Sequence, residues 1–236
     1  MLSRHLHVPY KFYCITDDLA GLDKGVEGVQ IWESNGLKRC RRLRIFDESM
    51  RSYFGDRILQ LDIDCVIVND ITPLVNRPEP MVIWRCVPEI RYVKNLHKTK
   101  PNGENGVGAY NTSMVLMDTG LIPQLWPDYT KDPRAVEREA QKQCLWTSLY
   151  NHDSGAIRPL ADGDDDQAVI SLYAKRLEPP IWMEVDGIYK WGRRGFSDKN
   201  KLPDNARIVF FNGSMPVNRV GFESVDSPAW VKANWQ

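Results

Sequence analysis

The feature that most constrains this chain is the run Ile58-Leu59-Gln60-Leu61-Asp62-Ile63-Asp64-Cys65-Val66-Ile67-Val68. Its apolar residues call for a buried strand, yet two carboxylates stand in the middle. A buried carboxylate without a partner is expensive, so these two need a cation, hydrogen-bond donors or an exit to water. In a continuous strand, positions i and i+2 share a side. The spacing therefore predicts that Asp62 and Asp64 converge while Ile63 turns into the core. Converging hard oxygens suit Mg2+ or Mn2+, ions that also grip phosphates. The alternative is that both acids cap a strand end and accept from loop amides. A plain turn, however, would not resume with Cys65-Val66-Ile67-Val68.

The pattern around this run is one of alternating strands and helices. Lys11–Thr16 and Gly28–Trp32 are short β-prone runs. Lys38–Phe54 reads as a helix, with Leu43, Phe46, Met50 and Phe54 at helical spacing and Gly55 as its stop. Met81–Val87 and Thr112–Met117 read as strands, separated by a polar, glycine-bearing loop at 88–110. Asp132–Leu149 reads as a helix with Asp132 as N-cap and Pro133 at its first position. Asp164–Lys175 is a shorter helix after an acidic turn, and β runs follow around Glu184–Tyr189 and Ala206–Phe211. This order predicts a single α/β domain, residues 1–236, with a mostly parallel sheet flanked by helices. In such a sheet a ligand site belongs at the carboxyl ends of the strands.

Composition removes several classes. Lys plus Arg is 31 and Asp plus Glu is 31, so the basic surplus that a nucleic-acid binder needs is missing. The aromatic content of 10% and the absence of net charge exclude a disordered chain. The apolar runs fall far short of the ~20 residues that cross a bilayer, so no transmembrane segment is expected. Met1–His7 offers no apolar stretch for a signal peptide. Cys14, Cys40, Cys65, Cys86 and Cys144 have no CxxC spacing, which argues against a zinc site or a disulfide framework. Together these point to a reducing, cytoplasmic setting, where the sequons at Asn111 and Asn212 are chance matches. His5, His7, His97 and His152 lack metal-ligand spacing, and Gly103–Gly108 lacks the Lys-Ser/Thr of a phosphate loop.

Four segments, in order, resemble the GT-A glycosyltransferases, nearest to the glycogenin-like family eight and its bacterial and phage relatives. They are Tyr10–Asp18, the Asp-x-Asp run from Phe46 through Leu74, Tyr110-Asn111-Thr112-Ser113-Met114-Val115-Leu116, and Gly163-Asp164-Asp165-Asp166-Gln167. The resemblance covers nearly the whole chain. It implies a GT-A-like, Rossmann-like fold, with about residues 1–120 as the nucleotide-sugar half and about 121–236 as the acceptor half. It also implies a nucleotide-diphosphate-sugar donor such as a UDP-sugar, a divalent metal (Mn2+ or Mg2+), and a glycan, lipid or protein acceptor.

By the same resemblance Asp64 ligates the metal, and Asp62 holds the metal or the donor ribose. Asn111, Asp166 and Gln167 lie near the sugar, with Asp166 and Gln167 as the catalytic pair. Taken alone, Asn111 reads as a strand-end turn residue and Asp164–Asp166 as acids at a helix start. Arg42 corresponds to a basic residue that touches phosphate. Read from its neighbours Lys38, Arg39, Arg41 and Arg44, it belongs instead to a solvated basic face. The chain departs from the family in two respects. The family's first strand and helix precede the segment matching Arg4-His5-Leu6, so the first strand is expected to be missing. In Phe210-Phe211-Asn212-Gly213-Ser214-Met215-Pro216, Asn212 stands at a metal-binding His position and Met215 at a phosphate-binding Lys position. These departures motivate a second expectation: a degenerate, non-catalytic relative that binds nucleotide, glycan or a protein partner.

Overall fold

The computed structural model describes residues 1–30, 38–84, 110–143, 166–191, 196, 198, 200–211 and 228–235. The α/β class is as expected. Strands β1 (Phe12–Ile15) and β2 (Val26–Val29) pair in parallel as a sheet of their own. Strands β3 (Arg57–Leu61), β5 (Met81–Trp84), β6 (Asn111–Asp118) and β7 (Ile181–Trp182) form a second sheet in the order β3-β6-β5-β7. Strands β4 (Cys65–Ile67), β8 (Ile188–Lys190) and β9 (Ile208–Phe210) form a third, in the order β4-β9-β8. The helices are α1 (Leu2–His5), α2 (Arg51–Phe54), α3 (Thr72–Val75), α4 (Leu125–Lys131), α5 (Pro133–Gln143), α6 (Asp166–Ala174) and α7 (Ala229–Trp235).

The sheets contain parallel pairs, as expected, but the balance is even. Among the described strands β1/β2, β5/β7 and β8/β9 are parallel, whereas β3/β6, β5/β6 and β4/β9 are antiparallel. The antiparallel pairs are what allow two sheets to stack. The alternation of β6 sends Val115 and Met117 into one core and Met114 and Leu116 into another. That explains why its seven residues from Asn111 to Met117 are all buried. The first core holds Leu43, Phe46, Leu125, Tyr129 and Val169 against the four-stranded sheet. The second lies between the two sheets, where Trp84 stacks on Phe210 with ring centroids 4.7 Å apart. A third core packs Phe211 and Val209 against Trp230 and Val231 of α7.

Two expectations change in detail. The apolar run 57–68 is not one strand: β3 belongs to the four-stranded sheet and β4 to the three-stranded one. The chain crosses between sheets at residues 62–64, and Ile63 at that crossing is 91% exposed rather than in the core. The helix read over 38–54 is a run of 3-10 turns at Lys38–Phe46 and Glu48–Met50, followed by α2. With about three residues per turn, Cys40, Leu43 and Phe46 share one face, and each has no exposed surface. Gly55, at φ 80°, ends the segment as expected. Asp132 caps α5 through its side chain, which accepts from the Ala135 amide at 2.9 Å. The loop expected at 88–110 and the end of the helix expected over 132–149 lie almost wholly outside the described residues.

This arrangement predicts a sharp contrast between two apolar truncations. Phe210→Ala should cost about 3–5 kcal/mol in urea denaturation. Ile63→Ala should change stability by no more than about 0.5 kcal/mol. A core-sized loss at Ile63 would contradict the break between β3 and β4.

Candidate functional site

The crossing between sheets is where the two acids sit. The Asp62 amide donates to the Ser113 carbonyl at 2.9 Å, extending the β3/β6 ladder by one step. On the other side of Ile63, the Asp64 carbonyl accepts from the Phe211 amide at 2.8 Å, extending the β4/β9 ladder. Asp62 is thus tied to one sheet and Asp64 to the other, and the site straddles the junction.

Arg42 reaches this junction from the 3-10 segment. Its Nη1 donates to Asp62 Oδ1 at 2.6 Å, and its Nε is paired with Asp166 Oδ2. The Arg42 side chain is 26% exposed, so the expectation of a solvated basic face does not hold for this residue. The three-residue period of the turn directs it inward while Cys40 and Leu43 face the core. Burial alone would lower the guanidinium pKa, but Asp166 and Asp62 outweigh it and the value is raised. Arg42 therefore stays charged at all ordinary pH.

Asp166 opens α6 and is buried, at 4% exposure. Burial pushes its carboxyl pKa up, and Arg42 pulls against that shift. Thr112 Oγ1 also lies 3.4 Å from Asp166 Oδ2, and Gln60 Nε2 lies 3.4 Å from Asp62 Oδ1. Sequence reasoning passed over Gln60 and Thr112. The signal for Gln60 was its polarity two positions before Asp62 in an otherwise apolar run. Asn111 starts β6, and its Oδ1 accepts from the Ser113 amide at 2.9 Å. That strand-end turn role agrees with the plainer of the two readings of Asn111, and leaves its amide N–H groups for a ligand. At 9% exposure Asn111 is also a poor glycan acceptor. Gln167 is half-buried in the first turn of α6. Asn212, Met215, Asp164 and Asp165 lie outside the described residues; Phe211, next to Asn212, is the residue bonded to Asp64.

Asp64 differs from its neighbours. Its Oδ1 is buried and has no hydrogen-bond partner among the described residues. Burial raises its pKa first and the Asp62 charge adds to that, while Lys190 and Arg42 oppose. An unpaired buried carboxylate oxygen is the kind of atom a divalent cation satisfies. Asp62 fits the ion less well, because one of its oxygens is held by Arg42. Among the described residues no group of three or more His, Cys, Asp or Glu side chains is gathered to hold an ion. The fit to a metal therefore rests on Asp64. The neighbouring Cys65 thiol is pushed far up by burial and is inert.

No family model matches the chain, and no curated protein matches it. Among solved structures, the crystal structure of mouse xyloside xylosyltransferase 1 in its apo form is similar at 16% identity and a TM-score of 0.41. The similarity covers 75% of this chain and 64% of that one. The α/β class of this chain rests on its own sheets and helices. No helix among the described residues is long and apolar enough to cross a membrane.

The Asp64 environment sets a pH dependence. A carboxyl whose pKa is raised on folding holds its proton more tightly in the folded state. The stability this contributes is full below the unfolded value, near 4, and is lost as pH rises through the folded value. In metal-free buffer, Asp64→Asn should therefore raise the melting temperature at pH 7. The gain should shrink toward zero as pH falls to about 4. A gain of equal size at both pH values would contradict the assigned burial.

Proposed function

We propose that this chain is a glycosyltransferase of the GT-A type. It moves a hexose from a nucleotide-diphosphate sugar, such as a UDP-sugar, to a glycan, lipid or protein acceptor. The observation that carries the reading is the meeting of Arg42, Asp62 and Asp166 beside the unpaired Asp64 oxygen. These residues come from segments that the motif order had singled out separately.

The reaction breaks the bond between the anomeric carbon and a diphosphate oxygen. It forms a bond from that carbon to an acceptor hydroxyl oxygen, whose proton leaves to solvent or to the departing diphosphate. Negative charge grows on the diphosphate, so the site must supply positive charge there. Mn2+ or Mg2+ held by Asp64, with Asn212 or Asp62 completing the set, supplies a Lewis acid for those oxygens. Arg42 keeps Asp62 and Asp166 ionised and fixed, so that their oxygens accept from ribose and sugar hydroxyls. Asn111 donates its amide N–H, and Gln167 binds a further hydroxyl. This fixes the orientation of the sugar before reaction.

The test is turnover of a UDP-sugar with Mn2+ by the parent and by Asp64→Ala. The variant should lose about a hundredfold or more in rate. Equal turnover in both would remove the proposed role of Asp64. One observation favours a second reading, a non-catalytic nucleotide or glycan binder: Arg42 already occupies both Asp62 and Asp166. Calorimetry that finds Mn2+-dependent UDP binding, with no turnover of any sugar donor, would select it.

A further inference from the structure

The charges at the sheet junction do not balance for an anionic ligand. Asp62, Asp64 and Asp166 bring three carboxylates, and the single charge of Arg42 is committed to two of them. A nucleoside diphosphate would add further negative charge. The late segment has Met215 where the resemblance expects a lysine, so the cation must come from elsewhere.

The three-stranded sheet offers one. Its register aligns Cys65 with Phe210 and Phe210 with Lys190, so the three residues form one row across the sheet. The next row holds Asp64, whose carbonyl accepts from the Phe211 amide, and Trp191, whose amide donates to the Phe210 carbonyl at 2.9 Å. Lys190 thus ends β8 on the same edge at which Asp64 enters β4. With strands about 4.8 Å apart, its backbone lies about 10 Å from that of Cys65. An extended lysine side chain and a diphosphate together close that span. Lys190 is half-buried, and its positive charge is already felt at Asp64, where it opposes the effect of burial.

We propose that Lys190 is the second cation of the donor site and contacts the phosphate oxygens of a bound nucleoside diphosphate beside Asp64. The inference rests on the functional reading above and deepens it. A lysine suits the task as a point charge that can follow a phosphate group, without the fixed fork that Arg42 uses on its two carboxylates.

The experiment is calorimetry with UDP, inorganic pyrophosphate and uridine at fixed Mg2+, using the parent, Lys190→Met and Lys190→Arg, with melting temperatures recorded for all three. Lys190→Met should weaken UDP and pyrophosphate about tenfold, the worth of one charge-assisted contact. Uridine binding should be unchanged, and Lys190→Arg should stay within about threefold of the parent. Unchanged UDP and pyrophosphate binding by a folded Lys190→Met would overturn the inference and leave the functional reading standing. An equal loss for uridine, or a loss that Lys190→Arg does not restore, would show a structural role and also overturn it. If the parent binds neither UDP nor pyrophosphate, the functional reading fails and the inference falls with it.

Discussion

A buried acid needs a counter-ion, and Arg42 is the counter-ion on which the candidate site depends. Asp166 is almost wholly out of water at the start of α6, and its desolvation would be costly if it stood alone. Arg42 meets it with Nε while Nη1 holds Asp62. The planar fork of a guanidinium lets one side chain serve two carboxylates from different elements, which an ammonium could not match in geometry. The pair therefore joins the 3-10 segment, the end of β3 and the start of α6 at one point.

The rest of the site follows from how the sheets stack. The chain leaves the four-stranded sheet after Leu61 and enters the three-stranded sheet at Cys65. Such a crossing must break the strand, and the break exposes Ile63 while leaving an acid on each side. Each acid is anchored through the backbone to its own sheet. The two therefore differ: Asp62 is satisfied by Arg42, whereas Asp64 keeps a buried oxygen without a partner among the described residues. That asymmetry makes Asp64 the cation-seeking residue and Asp62 the positioned acceptor.

Much of this was legible in the sequence. Apolar runs identified β5, β6 and β9, and Pro133 after Asp132 identified the start of α5 to the residue. The acids at 62, 64 and 166 stood out because carboxylates inside apolar runs demand an explanation. Three things were hidden. The sheet switch at Ile63 depends on which partner strands the flanks choose, and those contacts are far apart in sequence: β3 pairs with β6, and β4 with β9. The inward turn of Arg42 depends on a 3-10 rather than an α period, which the apolar spacing of Leu43, Phe46 and Met50 does not distinguish. Finally, the even mix of parallel and antiparallel pairs comes from stacking two sheets, whereas an alternating order of elements reads as one.

The central claim, that Arg42 is held between two acids and that Asp166 depends on it, is tested most directly by a double-mutant cycle in urea denaturation. Arg42→Met alone strands a buried carboxylate and should cost about 3–5 kcal/mol. Adding Asp166→Asn should recover part of that loss, with a coupling of at least about 1 kcal/mol. If the two substitutions add without coupling, Arg42 and Asp166 are not partners, and the site built on them does not exist.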